Sequence, residues 1–149
     1  MGSNGIMLKH DGWVVVADGE RALFLKNKGD AMHPQLTVFR EMEQENPPDR
    51  EQGTDRPGRV NGGGAQRSSV EETDWHQIGK ERFAREVAER LYKWAHAGRF
   101  DKLVIVAPPQ VLGEMRKELH SEVAHRVIGE IPKTLTNHSV DKIENLLLH

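Results

Sequence analysis

The chain has no cysteine and no long apolar run, and each absence excludes a class of protein. Without cysteine among its 149 residues, it forms neither disulfides nor thiolate-based catalytic or zinc sites. No segment approaches the roughly 20 consecutive apolar residues that cross a bilayer, so we expect no membrane span. The N-terminus lacks the basic and apolar regions of a signal peptide. These features predict a soluble, cytoplasmic protein.

The charge balance argues against general binding to polyanions. Charged residues make up 30% of the chain, yet the formal net charge is −2. Any contact with nucleic acid must therefore be local. The length suits one domain with one hydrophobic core. We place this domain at residues 11–149, after an N-terminal tail at 1–10 for which an expression-vector origin is one interpretation.

The apolar pattern predicts a sheet with helices packed on it. Three β-type segments come first, and the Asp18-Gly19 turn joins the first two as a hairpin. Later segments alternate between helix and strand, which implies a mixed sheet. The predicted strands lie at 12–17, 21–26, 36–42, 103–107 and 124–131, and the helices at 78–97, 108–119 and from Ser139 onward. The expected fold is a single α/β domain with a five-stranded sheet, in the order β-β-β-loop-α-β-α-β-α.

Residues 44–73 differ in character from the rest of the chain. This segment is rich in proline, glycine and charge and has almost no apolar residue, so it has little to bury. We therefore predict a long loop. A loop of this length in a compact domain is usually either functional or disordered, and both interpretations are open.

Within this segment, residues 56–67 form the strongest candidate binding site. Three arginines occur there without an acidic residue, and glycines let the backbone approach a ligand closely. Because guanidinium groups pair with phosphates, we predict an RNA or phosphate contact, with a solvated loop as the alternative. The spacing matches neither a Walker loop nor a dinucleotide fingerprint, so no cofactor is expected. The candidate binding residues are Arg56, Arg59, Gly63, Gly64, Gln66 and Arg67.

Asp74 and His76 form the other pair of chemical interest. A carboxylate and an imidazole two residues apart are a candidate general-base pair or part of a metal site. The simpler interpretation is a helix start, with Asp74 or Thr73 as the N-cap. The eight histidines show no metal-ligand spacing, so we predict no metal.

The chain resembles the bacterial host attachment protein family, named for proteins required for attachment to host cells. The resemblance covers nearly all residues beyond about 10, and the Asp-Arg-Pro-Gly-Arg and Ala-Pro-Pro blocks are its most specific parts in combination. The segments that carry it are Val14–Ala22, Asp55–Arg59, Thr73–His76, Phe83–Leu91, Leu103–Pro109 and Leu112–Arg116.

That family is similar in fold to the middle domain of archaeal and eukaryotic peptide-chain release factors. The resemblance implies a Gly-Gly-Gln loop before a long helix, whose glutamine enters the peptidyl-transferase centre. Here Gly63, Gly64 and Gln66 stand in that place, but Ala65 interrupts the motif. Catalysis is therefore undecided and the interruption weighs against it, with Gln66, Asp74 and His76 as the weak catalytic candidates.

Two functions from different classes remain open. The first is a release-factor-like accessory protein that contacts the ribosome or RNA through the Gly/Arg segment. The second is a non-catalytic adhesion or protein-interaction factor required for attachment to host cells. The partner is accordingly RNA, the ribosome or another protein, and an exposed strand edge also allows a homodimer.

Overall fold

The computed structural model describes residues 6–44 and 62–148, with side chains from residue 77 onward in the second range. Within these ranges, five strands and four helices follow one another as β1-β2-β3-α1-β4-α2-α3-β5-α4. The strands are β1 (Trp13–Ala17), β2 (Arg21–Asn27), β3 (Leu36–Glu43), β4 (Leu103–Val106) and β5 (Val127–Ile131). The helices are α1 (Gly62–His96), α2 (Pro109–Glu118), α3 (Ser121–Ala124) and α4 (Val140–Leu148).

The five strands form one mixed sheet in the order β3-β2-β1-β4-β5. β1 pairs antiparallel with β2, and β2 pairs antiparallel with β3. β1 and β5 each pair parallel with β4. The predicted mixed five-stranded α/β fold is confirmed. β1 and β4 are buried at every position, as expected for strands covered on both faces.

Helices cover both faces of the sheet, which creates two apolar layers. On one face, α1 and α2 pack on alternate residues of the strands, among them Trp13, Val15 and Ile105. On the other face, Ile143 and Leu147 of α4 pack on the intervening residues. The first layer includes a cluster of rings, with Phe100 stacked on Trp13 at a centroid distance of 4.7 Å.

The main difference from the sequence-based prediction concerns the long helix. The expected start was near Ile78, but α1 begins at Gly62 and runs for 35 residues. The predicted loop at 44–73 is therefore wrong for residues 62–73, whose backbone is helical. The sequence pattern failed there because this part of the helix lacks the apolar stripe that packing on a sheet requires.

Two smaller boundaries also differ, and a third prediction is confirmed. Residues 121–124 form the short helix α3, so the last strand begins at Val127 rather than at 124. The predicted cap of the last helix is confirmed, since the N–H of Lys142 donates to Ser139 Oγ at 3.2 Å. Residues 6–8 of the predicted tail pack on the domain: Leu8 is buried, and Ile6 lies against Gly129.

Candidate RNA-facing surface at the end of the long helix

The candidate site is defined by where α1 meets the sheet. Gly79 lies beside Gln44 at the carboxyl end of β3, and Trp94 packs on Trp13 near the amino end of β1. β1, β3 and β4 run in the same direction, so their carboxyl ends lie at one end of the sheet, called here the carboxyl edge, and their amino ends at the other, the amino edge. α1 thus crosses the sheet from the carboxyl edge to the amino edge. Residues 62–76 precede this crossing, and as fifteen helical residues they span about 22 Å along the axis of α1. The carboxyl edge is where open α/β sheets most often bind their ligands.

The part of α1 that reaches the carboxyl edge is held by close contacts of side chains with glycine backbone. Gln44 is buried, its N–H donates to Glu20 O at 2.8 Å and its Nε2 donates to Gly19 O at 3.0 Å. The stem of Lys80 lies so close to Gly19 that a Cβ there would be 2.8 Å from Lys80 Cγ. The β1–β2 turn, the end of β3 and α1 are therefore locked together at one place.

A second hydrogen-bonded link ties the same turn to the end of β5. Asp18 Oδ1 accepts from the N–H groups of Glu20 and Arg21, at 2.7 Å and 2.8 Å. Asp18 Oδ2 accepts from the buried hydroxyl of Thr136 at 2.5 Å. Both carboxylate oxygens of Asp18 thus accept hydrogen bonds that hold the turn and the segment after β5 together. The sequence signalled Asp18 as a turn residue, but a threonine 118 positions away gave no signal of this contact.

The sequence-predicted binding residues fall into two groups. Arg56 and Arg59 lie outside the described residues. Gly63, Gly64, Gln66 and Arg67 lie in the first turns of α1, where the structure gives their backbone. The helix places these four within about 6 Å along its axis. It follows that part of the Gly/Arg segment lies in the N-terminal turns of a helix rather than on a loop.

The start of α1 has the electrostatic character that favours anions. The first four N–H groups of a helix have no acceptor within it, and the aligned peptide dipoles place positive charge there. The first turn of α1 contains no acidic residue that would offset this charge. Its first residues are glycines, whose lack of a Cβ lets an oxygen approach the backbone.

The three weak catalytic candidates lie on one helix. Gln66 and Asp74 are eight residues apart, which corresponds to about 12 Å along the axis, and Asp74 and His76 are two residues apart, or about 3 Å. The N-cap interpretation of Asp74 or Thr73 is wrong, because both lie inside α1 rather than at its start.

Other kinds of site find little support in the described part of the chain. No group of three or more histidine, aspartate or glutamate side chains there is arranged to hold a metal ion. None of the helices described has the length and apolar character needed to cross a membrane. An open cleft of about 220 Å³ lies between α1 and the edge strand β3, lined by Met42, Glu86, Glu89, Arg90 and Lys93. Four of these five side chains are charged, which does not suit an apolar ligand.

A mixed sheet crossed by one long helix with a glycine-rich, arginine-containing start is the arrangement that the resemblance to release factors implies. Comparison with known families gives the same class. Residues 11–147 match the model for bacterial archaeo-eukaryotic release factor family 12, and the chain belongs to that family. The expected likeness to release factors is thereby confirmed, whereas the match gives no support to the host attachment name.

One curated relative is an uncharacterized protein of Rickettsia prowazekii (strain Madrid E). It is 40% identical over 63 residues, which cover 41% of this chain and 42% of that protein. The match thus spans less than half the length of the relative. It shows similarity in a part of the chain and assigns no activity.

Proposed function

We propose that this protein is a release-factor-like accessory protein that contacts ribosomal or other RNA with the Gly/Arg segment at residues 50–67. The observation that carries the proposal is the position of Gly63, Gly64, Gln66 and Arg67 in the N-terminal turns of α1, within a family named for release factors. Arg56 and Arg59 precede the same helix in the sequence and add two cations.

The base of α1 supports this proposal physically. About 22 Å of helix precedes the point where α1 reaches the sheet, and a helix of this length needs a fixed base, because small rotations at the base are amplified at its start. The contacts among Gln44, Gly79, Gly19 and Lys80 supply that fixed base. Positive charge at the tip then attracts phosphates, whereas the chain as a whole, with a net charge of −2, does not.

Co-sedimentation with purified ribosomes over a series of salt concentrations tests the contact. We expect wild-type protein to bind, with an affinity that falls steeply as salt increases, because bound phosphates release counterions. The Arg56/Arg59/Arg67→Ala variant should lose most of this binding, and the slope against salt should decrease by about 2 to 3.

A matched control removes three cations from elsewhere on the surface. Lys117, Lys133 and Lys142 are exposed and lie outside α1, so the triple alanine variant should bind like wild type. No binding at low salt, or equal loss in both variants, would refute the proposal and favour a role with a protein partner.

We further propose that Gln66 does not catalyse peptidyl-tRNA hydrolysis. Ala65 shifts Gln66 by one residue from the glycines, and in a helix one residue means a rotation of about 100° and a rise of 1.5 Å. Release of labelled peptide from ribosome-bound peptidyl-tRNA should therefore be no faster with the protein than without it. Stimulated release that Gln66→Ala abolishes would overturn this view.

A further inference from the structure

A second group of cations lies at the opposite edge of the sheet from the Gly/Arg segment. Lys9 precedes β1, Lys28 follows β2, and Arg99 and Lys102 precede β4. We refer to these four residues as the amino-edge patch. All four are exposed, and within the described ranges none of them forms an ion pair.

Backbone hydrogen bonds bring the loops of the patch together. The N–H of Trp13 donates to Lys102 O, and the N–H of Gly12 donates to Lys9 O, each at 2.9 Å. The N–H of Asn27, the residue before Lys28, donates to Gly12 O at 2.9 Å. The ends of β2, β1 and β4 are neighbours, so the three lysines span about 10 Å across the sheet.

The buried side chain of Asn27 makes this arrangement rigid. Its Nδ2 donates to Leu8 O at 2.8 Å and to Asp30 O at 3.2 Å, on the two sides of the patch. Its Oδ1 accepts from the N–H groups of Gly29 and Gln35, at 2.9 Å and 2.8 Å. The loops that carry Lys9 and Lys28 are thus fixed before any ligand arrives, which lowers the entropic cost of binding.

Five acidic residues lie near the patch, and four of them are already engaged. Asp30 accepts from the N–H groups of Met32 and His33, at 3.0 Å and 2.7 Å. Glu144 Oε1 accepts from the N–H of Leu36 at 2.9 Å. Asp11 Oδ1 lies 3.5 Å from His10 Nε2, Glu122 Oε1 lies 3.1 Å from His96 Nδ1, and Asp101 is exposed.

The cations differ from these acids in their contacts. Arg126 adds a fifth cation at the start of β5, and its guanidinium is held by the carbonyl groups of Phe100 and Glu122. The four cations of the patch have no ion-pair partner within the described ranges, so they are available to a ligand even though the surface has no large net charge.

We propose that the amino-edge patch binds the phosphate backbone of structured RNA. The patch residues are lysines and an arginine on loops, without an exposed aromatic ring among them, which suits phosphate contacts rather than base stacking. A nucleic-acid duplex carries a charge about every 2 Å along its axis, so a patch about 10 Å wide faces several phosphates. The choice of RNA as partner rests on the proposed function. The position and rigidity of the patch rest on the hydrogen bonds described above.

The patch and the tip of α1 lie at opposite ends of the molecule. A protein with RNA contacts at both ends bridges two RNA segments, and each contact raises the effective concentration of the other. A short RNA duplex occupies one surface at a time, so it allows the two surfaces to be examined separately.

Fluorescence anisotropy with a labelled short RNA duplex tests the inference over a series of salt concentrations. In the Arg56/Arg59/Arg67→Ala background, where the patch is the proposed RNA surface that remains, adding Lys9/Lys28/Arg99/Lys102→Ala should raise the Kd about 10-fold or more at moderate salt and reduce the salt slope by about 3 to 4. In the opposite direction, Asp11→Asn and Asp101→Asn should each lower the Kd, because each removes a negative charge beside the patch. These gain-of-binding variants keep the test valid even if the quadruple variant does not fold.

The outcomes separate this inference from the proposed function. A partial loss with each variant, and a much larger loss when the two are combined, supports both surfaces. Loss with the patch variant but not with Arg56/Arg59/Arg67→Ala supports the patch and counts against the Gly/Arg segment. Loss with the arginine variant alone overturns the patch and leaves the proposed function in place. Absence of RNA binding in wild type overturns both. Patch-dependent binding to anionic phospholipid vesicles, without binding to RNA, also overturns the inference.

Discussion

Gln44 and Gly79 meet so closely that a Cβ on residue 79 would lie 3.0 Å from Gln44 Oε1. Gln44 is where the chain leaves β3, and Gly79 is where α1 reaches the sheet. The Oε1 atom is buried and has no hydrogen-bond partner within the described structure. The two residues therefore set the distance between the base of the projecting helix and the sheet.

We predict that Gly79→Ala destabilises the fold, although alanine is the better helix former. Helix propensity favours the change by about 1 kcal/mol, but the methyl group overpacks the anchored Gln44 side chain at a cost of about 1 to 3 kcal/mol. The expected net loss is about 1 kcal/mol in the free energy of unfolding, measured with urea. In a Gln44→Ala background, the same substitution should become stabilising.

Gly113 provides the matched control for this prediction. It lies inside α2, and nothing is within 4 Å of the position that its Cβ would take. Gly113→Ala should therefore stabilise the fold by about 1 kcal/mol through helix propensity alone. Equal effects of the two substitutions would show that the contact with Gln44 imposes no constraint.

Asn27→Ala should be among the most damaging substitutions in the domain. Asn27 is fully buried, and its loss leaves acceptors on Leu8 and Asp30 and donors on Gly29 and Gln35 without their partner. Each buried polar group left unpaired costs about 1 to 3 kcal/mol, and some of these groups regain water. We expect a loss of about 3 kcal/mol in unfolding free energy. Exposed Asn137→Ala should change it by less than about 0.5 kcal/mol.

Thr136→Val tests the link between the β1–β2 turn and the end of β5. Valine keeps the shape of threonine but removes the hydroxyl that donates to Asp18 Oδ2. A hydrogen bond to a carboxylate contributes about 1.5 to 3 kcal/mol, so we expect a loss in this range on thermal or urea unfolding. Thr134 is exposed, and Thr134→Val serves as the control. A neutral Thr136→Val would mean that water replaces the hydroxyl without cost.

The sequence allowed the sheet to be predicted well, and the helix that carries the candidate site much less well. Strands such as Leu103–Val106 are continuous apolar runs, so burial itself marks them. Residues 62–76 have no apolar periodicity, and their glycines indicated a loop. Gln44 and Thr136 escaped prediction because their roles depend on partners brought close only by the folded sheet. The patch also depends on three separate loops, which no local pattern connects.

The pH dependence of stability should contain a contribution from Asp30 in the acid range. The N–H of His33, which donates to the carboxylate, is the main cause that lowers the pKa of Asp30 below its ordinary value. The N–H of Met32 and the nearby imidazoles of His33 and His10 act in the same direction. Because the pKa is lower in the folded than in the unfolded state, the ionised carboxylate stabilises the fold above the ordinary pKa of about 4. That stabilisation is lost as the pH falls through the pKa of Asp30 in the folded state.

Two measurements test this contribution of Asp30. We expect the Asp30 carboxyl carbon to titrate below the ordinary range by NMR, and Asp30→Asn to unfold with a weaker pH dependence between about pH 5 and pH 2. Titration of Asp30 at or above the ordinary value would contradict the hydrogen-bonded turn from Asp30 to His33.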